Sequence, residues 1–344
     1  MKTTTKKIIS ILLVTATILA CVFAFASCGK SEGGETTTAS SAGESTKNTA
    51  SKEKFTVGIC QLVPHEALDA ATQGFKDALV KALGEENVTF LEQNAQNDTN
   101  ACTTIVTDFV SKKVDLILAN ATAALQAAYN ATTTIPILGT SITEYGVALG
   151  IDNFGGTVGG NVSGTSDLAP LTEQADMILE LFPEAKNVGL LYCSAEPNSE
   201  YQVKTVEEYL TKKGLTCTRY SFSDSNDISA VTTTAASQSD VIYIPTDNTA
   251  ASSSSTIGNI VREKKVPVVA GEKGICVGCG VATLSISYYD LGVKTGEMAA
   301  KILKGESDIS QMPIEYAPAT KMYNAEICKE LGITVPDGYT AIEG

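Results

Sequence analysis

Val114-Asp115-Leu116-Ile117-Leu118-Ala119-Asn120-Ala121-Thr122 is a β-branched apolar run that ends in small polar residues. It returns in the second half of the chain as Asp240-Val241-Ile242-Tyr243-Ile244-Pro245-Thr246-Asp247-Asn248-Thr249. One helical stretch later, each copy is followed by another such run. These are Ile135-Pro136-Ile137-Leu138-Gly139 after the first and Val266-Pro267-Val268-Val269-Ala270-Gly271 after the second. Runs this short and this apolar read as strands covered on both faces, with helices between them. Strands alternating with helices pair in parallel through right-handed crossovers. The duplicated run therefore predicts an α/β protein of two similar lobes, each a parallel sheet flanked by helices.

Working outward, the same rhythm predicts strands at 55–60, 87–93, 114–119 and 135–139. Helices are predicted over 67–83, 99–111 and 123–130. The first of them carries Leu68, Ala71, Phe75, Leu79 and Leu83 on one face at three- and four-residue spacing. A glycine-rich passage, 146–164, reads as a flexible loop. The pattern then restarts with strands at 187–192, 215–222, 240–244, 266–270 and 281–285. The 290 residues from Phe55 onward are too many for one typical core and suit two.

In open parallel sheets, solutes bind beyond the carboxyl ends of the strands, where helix starts present unpaired N–H groups. The matching strand ends give the candidate binding residues. In the first lobe these are Gln61, His65, Ala121, Thr122, Ala123, Thr140, Ser141 and Thr143. Ser166 and Asp167 follow the glycine-rich passage. The second lobe gives Tyr192, Asn198, Ser199, Thr246, Asp247, Asn248 and Glu272. For any single one of them, capping a helix is an equal alternative. Both sets nevertheless face one prospective cleft.

The N-terminus places the domain outside the cytoplasm. Lys2, Lys6 and Lys7 precede an uncharged apolar run over 8–26, the pattern of a secretion signal. A retained transmembrane helix is the competing reading. Phe25-Ala26-Ser27-Cys28 resembles the bacterial lipobox, which implies cleavage before Cys28 and its acylation, with palmitate among the expected chains. Residues 29–51 are almost entirely Ser, Thr, Gly, Glu and Lys, a composition that cannot bury enough apolar surface to fold. As a flexible tether they reach roughly 25–30 Å. The expected location is the outer face of the cell membrane, with the domain held by lipid.

Composition narrows the functions further. Losing three signal-peptide lysines takes the formal charge from −14 to −17, and no basic stripe or aromatic stacking ladder offsets it. Such a chain repels nucleic acid. Of nine cysteines, seven remain once Cys21 and Cys28 are set aside, which does not suggest a fully paired framework. Cys60, Cys193 and Cys217 fall in or beside strand-like runs and read as core residues. Cys276-Val277-Gly278-Cys279 reads as a C-x-x-C in a glycine-rich loop, forming a local disulfide or two free thiols. A zinc site needs two further ligands, and His65 is the single histidine. His65-Glu66-Ala67-Leu68-Asp69 has aspartate where a zinc protease needs its second histidine, and no G-x-S-x-G elbow is present. The cluster Gly155-Gly156-Thr157-Val158-Gly159-Gly160 lacks the lysine of a phosphate loop. No enzyme and no cofactor are expected.

Four segments together carry a family resemblance: Gly58-Ile59-Cys60-Gln61-Leu62-Val63-Pro64-His65-Glu66-Ala67-Leu68-Asp69, Gly164-Thr165-Ser166-Asp167-Leu168-Ala169-Pro170, Pro245-Thr246-Asp247-Asn248-Thr249 and Tyr288-Tyr289-Asp290-Leu291-Gly292. They resemble the substrate-binding lipoproteins of ABC importers that include tryptophan- and tyrosine-binding members, over about residues 55–336. The resemblance implies a type I periplasmic-binding-protein fold with three hinge crossings. The expected divisions are a signal peptide over 1–27, a tether over 28–54, lobe one from 55–164 with about 287–318, and lobe two from 165–286 with about 319–344. Glu66, Ala123 and Glu144-Tyr145 depart from the family pattern in lobe one.

The function so implied is capture of a small solute, foremost an aromatic amino acid. Branched-chain amino acids, nucleosides and sugars are the alternatives. Expected partners are an ABC permease and its ATPase subunits, with the receptor a monomer. A ligand-sensing receptor for a membrane signalling protein and a surface adhesin remain alternatives of other classes. For an amino-acid zwitterion, Thr122, Thr140 and Ser141 with nearby backbone N–H groups are the expected carboxylate donors. Asp247 is the first choice for the ammonium and Asp167 the second. Tyr145, Tyr192, Tyr288 and His65 are candidates to pack against a ring. Closure then satisfies both charges at once.

Overall fold

The computed structural model describes residues 54–342. The secretion signal, Cys28 and nearly all of the tether lie outside the described residues. The first half of the described chain runs β1 (Phe55–Gln61), α1 (Glu66–Leu83), β2 (Val88–Asn94), α2 (Thr99–Lys112), β3 (Leu116–Asn120), α3 (Thr122–Ala131), β4 (Ile137–Ile142), α4 (Tyr145–Leu149) and β5 (Val162–Ser166). The repeat follows as α5 (Leu171–Leu181), β6 (Asn187–Cys193), α6 (Pro197–Lys212), β7 (Thr216–Phe222), α7 (Ile228–Gln238), β8 (Val241–Ile244), α8 (Asn248–Ser252), α9 (Ser254–Lys264), β9 (Val268–Ala270), α10 (Lys273–Cys279) and β10 (Ala282–Ile286). The chain ends with α11 (Tyr288–Leu303), β11 (Glu315–Tyr316), β12 (Ala319–Tyr323), α12 (Ala325–Leu331) and β13 (Thr340–Ala341).

Two sheets result, in the orders β11-β5-β4-β3-β1-β2 and β13-β12-β10-β9-β8-β6-β7. Every pairing is parallel except β10 with β12. The chain passes from the first sheet to the second after β5, returns after β10 and passes back between β11 and β12. These three crossings form the hinge of a type I periplasmic-binding-protein fold.

Burial explains why the central strands are apolar throughout. Val57 and Ile59 of β1 pack with Phe75 and Leu79 of α1, while Cys60 joins the opposite core with Val106 and Phe109 of α2. Fully burying a side chain such as Phe75 is worth roughly 2–3 kcal/mol. Helix α1 lies against α11 along a seam of small residues. A Cβ on Gly74 would stand 2.1 Å from the Tyr289 carbonyl oxygen, and one on Gly292 would stand 2.0 Å from that of Ala71. The backbones thus touch, which ties the N-terminal and hinge-return segments into one lobe.

Two expectations need correction. The passage expected to be only a flexible loop contains strand β5, which lies between β4 and β11. Val-Ser-Gly-Thr-Ser carries little β-branched signal. It pairs because Gly164, at φ 145°, lets the backbone approach Gly139, where any side chain would collide. The C-x-x-C segment is not a loop but helix α10, started by Glu272. Cys276 and Cys279 are buried free thiols within it, and the thiols of Cys60 and Cys193 are likewise buried, whereas Cys217 is half-buried.

Candidate functional site

The strand ends that meet between the sheets are organised by carboxylates. Asp247 is the N-cap of α8: its Oδ1 accepts from Ala250 N at 2.7 Å and its Oδ2 accepts from Cys193 N at 2.7 Å. Glu272 caps α10, accepting from Gly274 N at 2.6 Å and Ile275 N at 2.5 Å. Glu196 precedes α6 and grips the start of α8, accepting from Asn248 N and Nδ2 with Oε2 and from Thr249 N and Oγ1 with Oε1. Each acid satisfies backbone donors that a helix start leaves unpaired.

Across from these, the first-sheet side brings hydroxyls and one acid. Ser141 has φ 55° at the end of β4, and its Oγ is buried with no hydrogen-bond partner. Asp167 lies just past β5 and is 4 % exposed. Its Oδ2 accepts from the Tyr288 hydroxyl at 2.9 Å, while its Oδ1 is buried without a partner. An unmatched buried acceptor of this kind costs free energy unless a donor arrives.

These groups enclose one small cavity. Ser141, Thr143, Asp167 and Tyr288 line it on one side. Asn198, Thr246, Asp247, Asn248 and Glu272 line the other, with His65, Leu68 and Ala251 completing the wall. Its volume is about 10 Å³, roughly one water. A solute of amino-acid size therefore enters only when the lobes separate. Contacts across the cleft show that they are closed here. His65 Nε2 lies 3.3 Å from Asn248 Oδ1, Asn97 Nδ2 donates to Thr249 Oγ1 at 3.0 Å, and Lys273 Nζ bonds Glu66 Oε1 at 3.1 Å. Because Asn248 Nδ2 donates to Glu196, its Oδ1 faces His65, and His65 Nε2 is the donor.

Burial governs the electrostatics. Desolvation pushes the Asp167 carboxyl up to about 6, against the Tyr288 and Thr143 hydroxyls that favour its charge. Glu272 is pushed up to about 7, again by burial first. Asp247 reaches about 8 through burial and then the neighbouring Glu196 charge. His65 is lowered by burial, which favours its neutral form. The cavity thus holds three carboxyl groups and no cation of its own. Among the described residues, no group of three or more such ligands is placed to hold a metal.

Several candidate residues lie elsewhere. Gln61 is turned into lobe one, accepting from Thr72 Oγ1 at 2.6 Å and donating to Asp69. Thr140 is bonded to Thr165 and Thr295 inside the same lobe. Ala121, Thr122 and Ala123 start α3 outside the cavity lining. Ser166 donates to the Thr143 carbonyl, and Ser199 supports Asp247 from behind. Tyr145 is a core residue whose hydroxyl donates to Thr165 O at 3.1 Å. Tyr192 packs in the lobe-two core, facing Glu200 and Arg219. For Gln61, Thr140, Ser166 and Tyr192, which lie in strands, parity decides, since alternate side chains leave a sheet on opposite faces. Leu68, Ala251 and Glu196 were not singled out from sequence. Glu196 sits one residue before Pro197, a helix-start signal that marks it.

The family model described as ABC transporter substrate binding protein matches residues 56–341. The chain belongs to that family. A curated relative, the tyrosine-binding protein of Clostridioides difficile (strain R20291), is 35 % identical over 323 residues, covering 92 % of this chain and 89 % of its own. The crystal structure of the ABC domain from Streptococcus pneumoniae in complex with L-Trp matches with TM-score 0.80 at 31 % identity, over 84 % of this chain and 100 % of that one. A ligand-free, open structure of a Clostridium difficile substrate binding protein with adhesive properties matches with TM-score 0.64 at 38 % identity, over 84 % and 99 %. Greater identity accompanies the poorer superposition, in keeping with the closed lobes of this substrate-binding protein. These relatives are solute-binding proteins rather than enzymes.

Proposed function

We infer that this substrate-binding protein is a lipid-anchored receptor that captures an aromatic amino acid for an ABC importer. The observation that carries the reading is the unpartnered, buried Asp167 Oδ1 beside the unpartnered Ser141 Oγ at a cavity with no cation. An α-ammonium supplies the missing donor to Asp167, and an α-carboxylate accepts from Ser141. Asp247 gives up its first rank for the ammonium, because both of its oxygens already accept backbone N–H groups. His65, Leu68 and Tyr288 offer the surfaces for a ring. The names of the Tyr-binding and Trp-bound relatives support the aromatic class.

Binding groups from both lobes meet only in the closed form, so ligand shifts the open–closed equilibrium toward it. The permease then recognises the closed receptor. Anchoring rests on the lipobox at Cys28, and Cys28→Ser is expected to release the protein from the membrane fraction. Thermal-shift measurements with tyrosine, tryptophan, phenylalanine, leucine, adenosine and glucose test the ligand class. A ligand at one hundred times its Kd adds about 2.7 kcal/mol. A melting point raised by glucose or adenosine and unmoved by all three aromatic amino acids would refute the assignment.

A further inference from the structure

A second cavity lies away from the solute cleft, at the flank of the hinge. It has a volume of about 360 Å³, well above that of the cavity between Asp167 and Asp247. Its walls come from both lobes and from the crossing between them. Ala67 and Ala70 belong to α1 of lobe one, Ile286 ends β10 and Tyr289 starts α11 on either side of the second crossing, and Met322 of β12 and Ile342, just past β13, belong to lobe two. Tyr288 stands between the two spaces, with its hydroxyl on Asp167 and its side chain also lining the hinge chamber.

We propose that this chamber is a second binding site, for a neutral aromatic molecule of about indole size, and that its occupation favours the closed receptor. The charge on its walls is already matched. Lys273 pairs with Glu66 across the lip at 3.1 Å, and the Glu272 carboxyl is occupied by Gly274 N and Ile275 N. An ionic guest would therefore lose its hydration without gaining a counter-charge. What remains is mainly apolar apart from Ser287 and Thr340, with the Tyr288 and Tyr289 rings for offset or edge contacts and the Met322 thioether to adapt to a planar guest. The volume lies within the range of small-molecule sites. Because lobe one and lobe two each supply a wall, the chamber takes this shape only in the closed arrangement. A guest that fits it binds that state better and must shift the equilibrium toward it.

Titration calorimetry with indole as the probe tests the proposal on the purified protein, alone and saturated with tyrosine. Indole is expected to bind a single site in both cases. By linkage, bound indole tightens tyrosine binding about fivefold or more. Ala70→Phe and Met322→Trp fill the chamber from opposite lobes. Each should abolish indole binding and with it the indole-dependent tightening of tyrosine, while tyrosine itself still binds. Stoichiometric displacement of indole by tyrosine would overturn the proposal. So would indole binding that survives both substitutions, tyrosine affinity unchanged by indole, or no indole binding at millimolar concentration. If tyrosine itself does not bind, the solute assignment fails separately, and the indole titrations with the two filling variants still read the chamber.

Discussion

On the lobe-two wall of the cleft, Asp247 and Glu272, backed by Glu196, place their oxygens on helix starts. On the opposite wall, Ser141 Oγ and Asp167 Oδ1 are buried with nothing to bond. Both walls are polar, yet only one is chemically incomplete. Lobe two is a finished surface whose acids hold α8 and α10 in place. The first-sheet side carries groups left without partners, which the proposed solute would complete. A carboxylate in a cleft is therefore not by itself a ligand group, and what distinguishes Asp167 from Asp247 is the donors each already has.

The strongest way to break this comparison is Asp167→Asn. It should lower tyrosine affinity about thirtyfold or more, as for loss of a buried charge partner. The melting point of the free protein should not fall, because burial opposes the charge that is removed. Retained affinity in a calorimetric titration would return the ammonium to Asp247 or Glu272. Asp247→Ala should show the opposite profile. It deletes a helix cap and leaves the buried Cys193 N–H unsatisfied, for a loss of about 2–3 kcal/mol of stability in urea unfolding. Affinity measured on the folded protein should change far less than in Asp167→Asn.

A pH series sharpens the same contrast. Burial raises the carboxyls of Asp167, Glu272 and Asp247 to about 6, 7 and 8, above their unfolded values. A raised carboxyl favours folding when protonated. Its stabilisation is complete at low pH and is lost as pH rises through the folded value. The melting point of the free protein should thus rise between pH 8 and pH 5.5. Tyrosine affinity should move the other way and fall below about pH 6, where Asp167 takes up a proton. A melting point that instead falls across this interval would show that the buried carboxyls do not dominate. The smallest effect is expected from Glu66→Gln. Among the described residues, Glu66–Lys273 is the one ion pair joining the lobes, and both side chains are partly exposed. Such a pair is worth less than about 1 kcal/mol, so affinity should weaken about two- to threefold at low salt. At 1 M salt the variant and the parent should agree.

Much of the fold was legible because its signals are local. The apolar runs at 55–60, 187–192 and 215–222 became strands with ends within one residue of expectation. Helix α1 buries the face with Leu68, Ala71, Phe75 and Leu79. Strand β5 and helix α10 were not legible, since each depends on glycines that permit contact with distant segments. A Cβ on Gly164 would meet Gly139 O at 2.1 Å, and one on Gly278 would meet Ser254 Oγ at 2.3 Å. At the site, strand-end reasoning found His65, Ser141, Thr143, Asp167, Asn198, Thr246, Asp247, Asn248 and Glu272, all of which line the cavity. It also drew in Gln61, Thr140 and Tyr192, whose side chains leave their strands on other faces.

The sequence by itself determined two α/β lobes, the strand ends at which they meet and the net negative charge of the chain. Periodicity and β-branching act within a few residues, and the duplicated run states them twice. Only the tertiary structure decided which polar groups were left to bind. Whether an acid is free depends on donors far away in the chain. Cys193 N occupies Asp247 and Thr249 N occupies Glu196, while nothing reaches Asp167 Oδ1. Hydrogen-bond satisfaction is a property of the packed interior, where water cannot substitute for a missing partner.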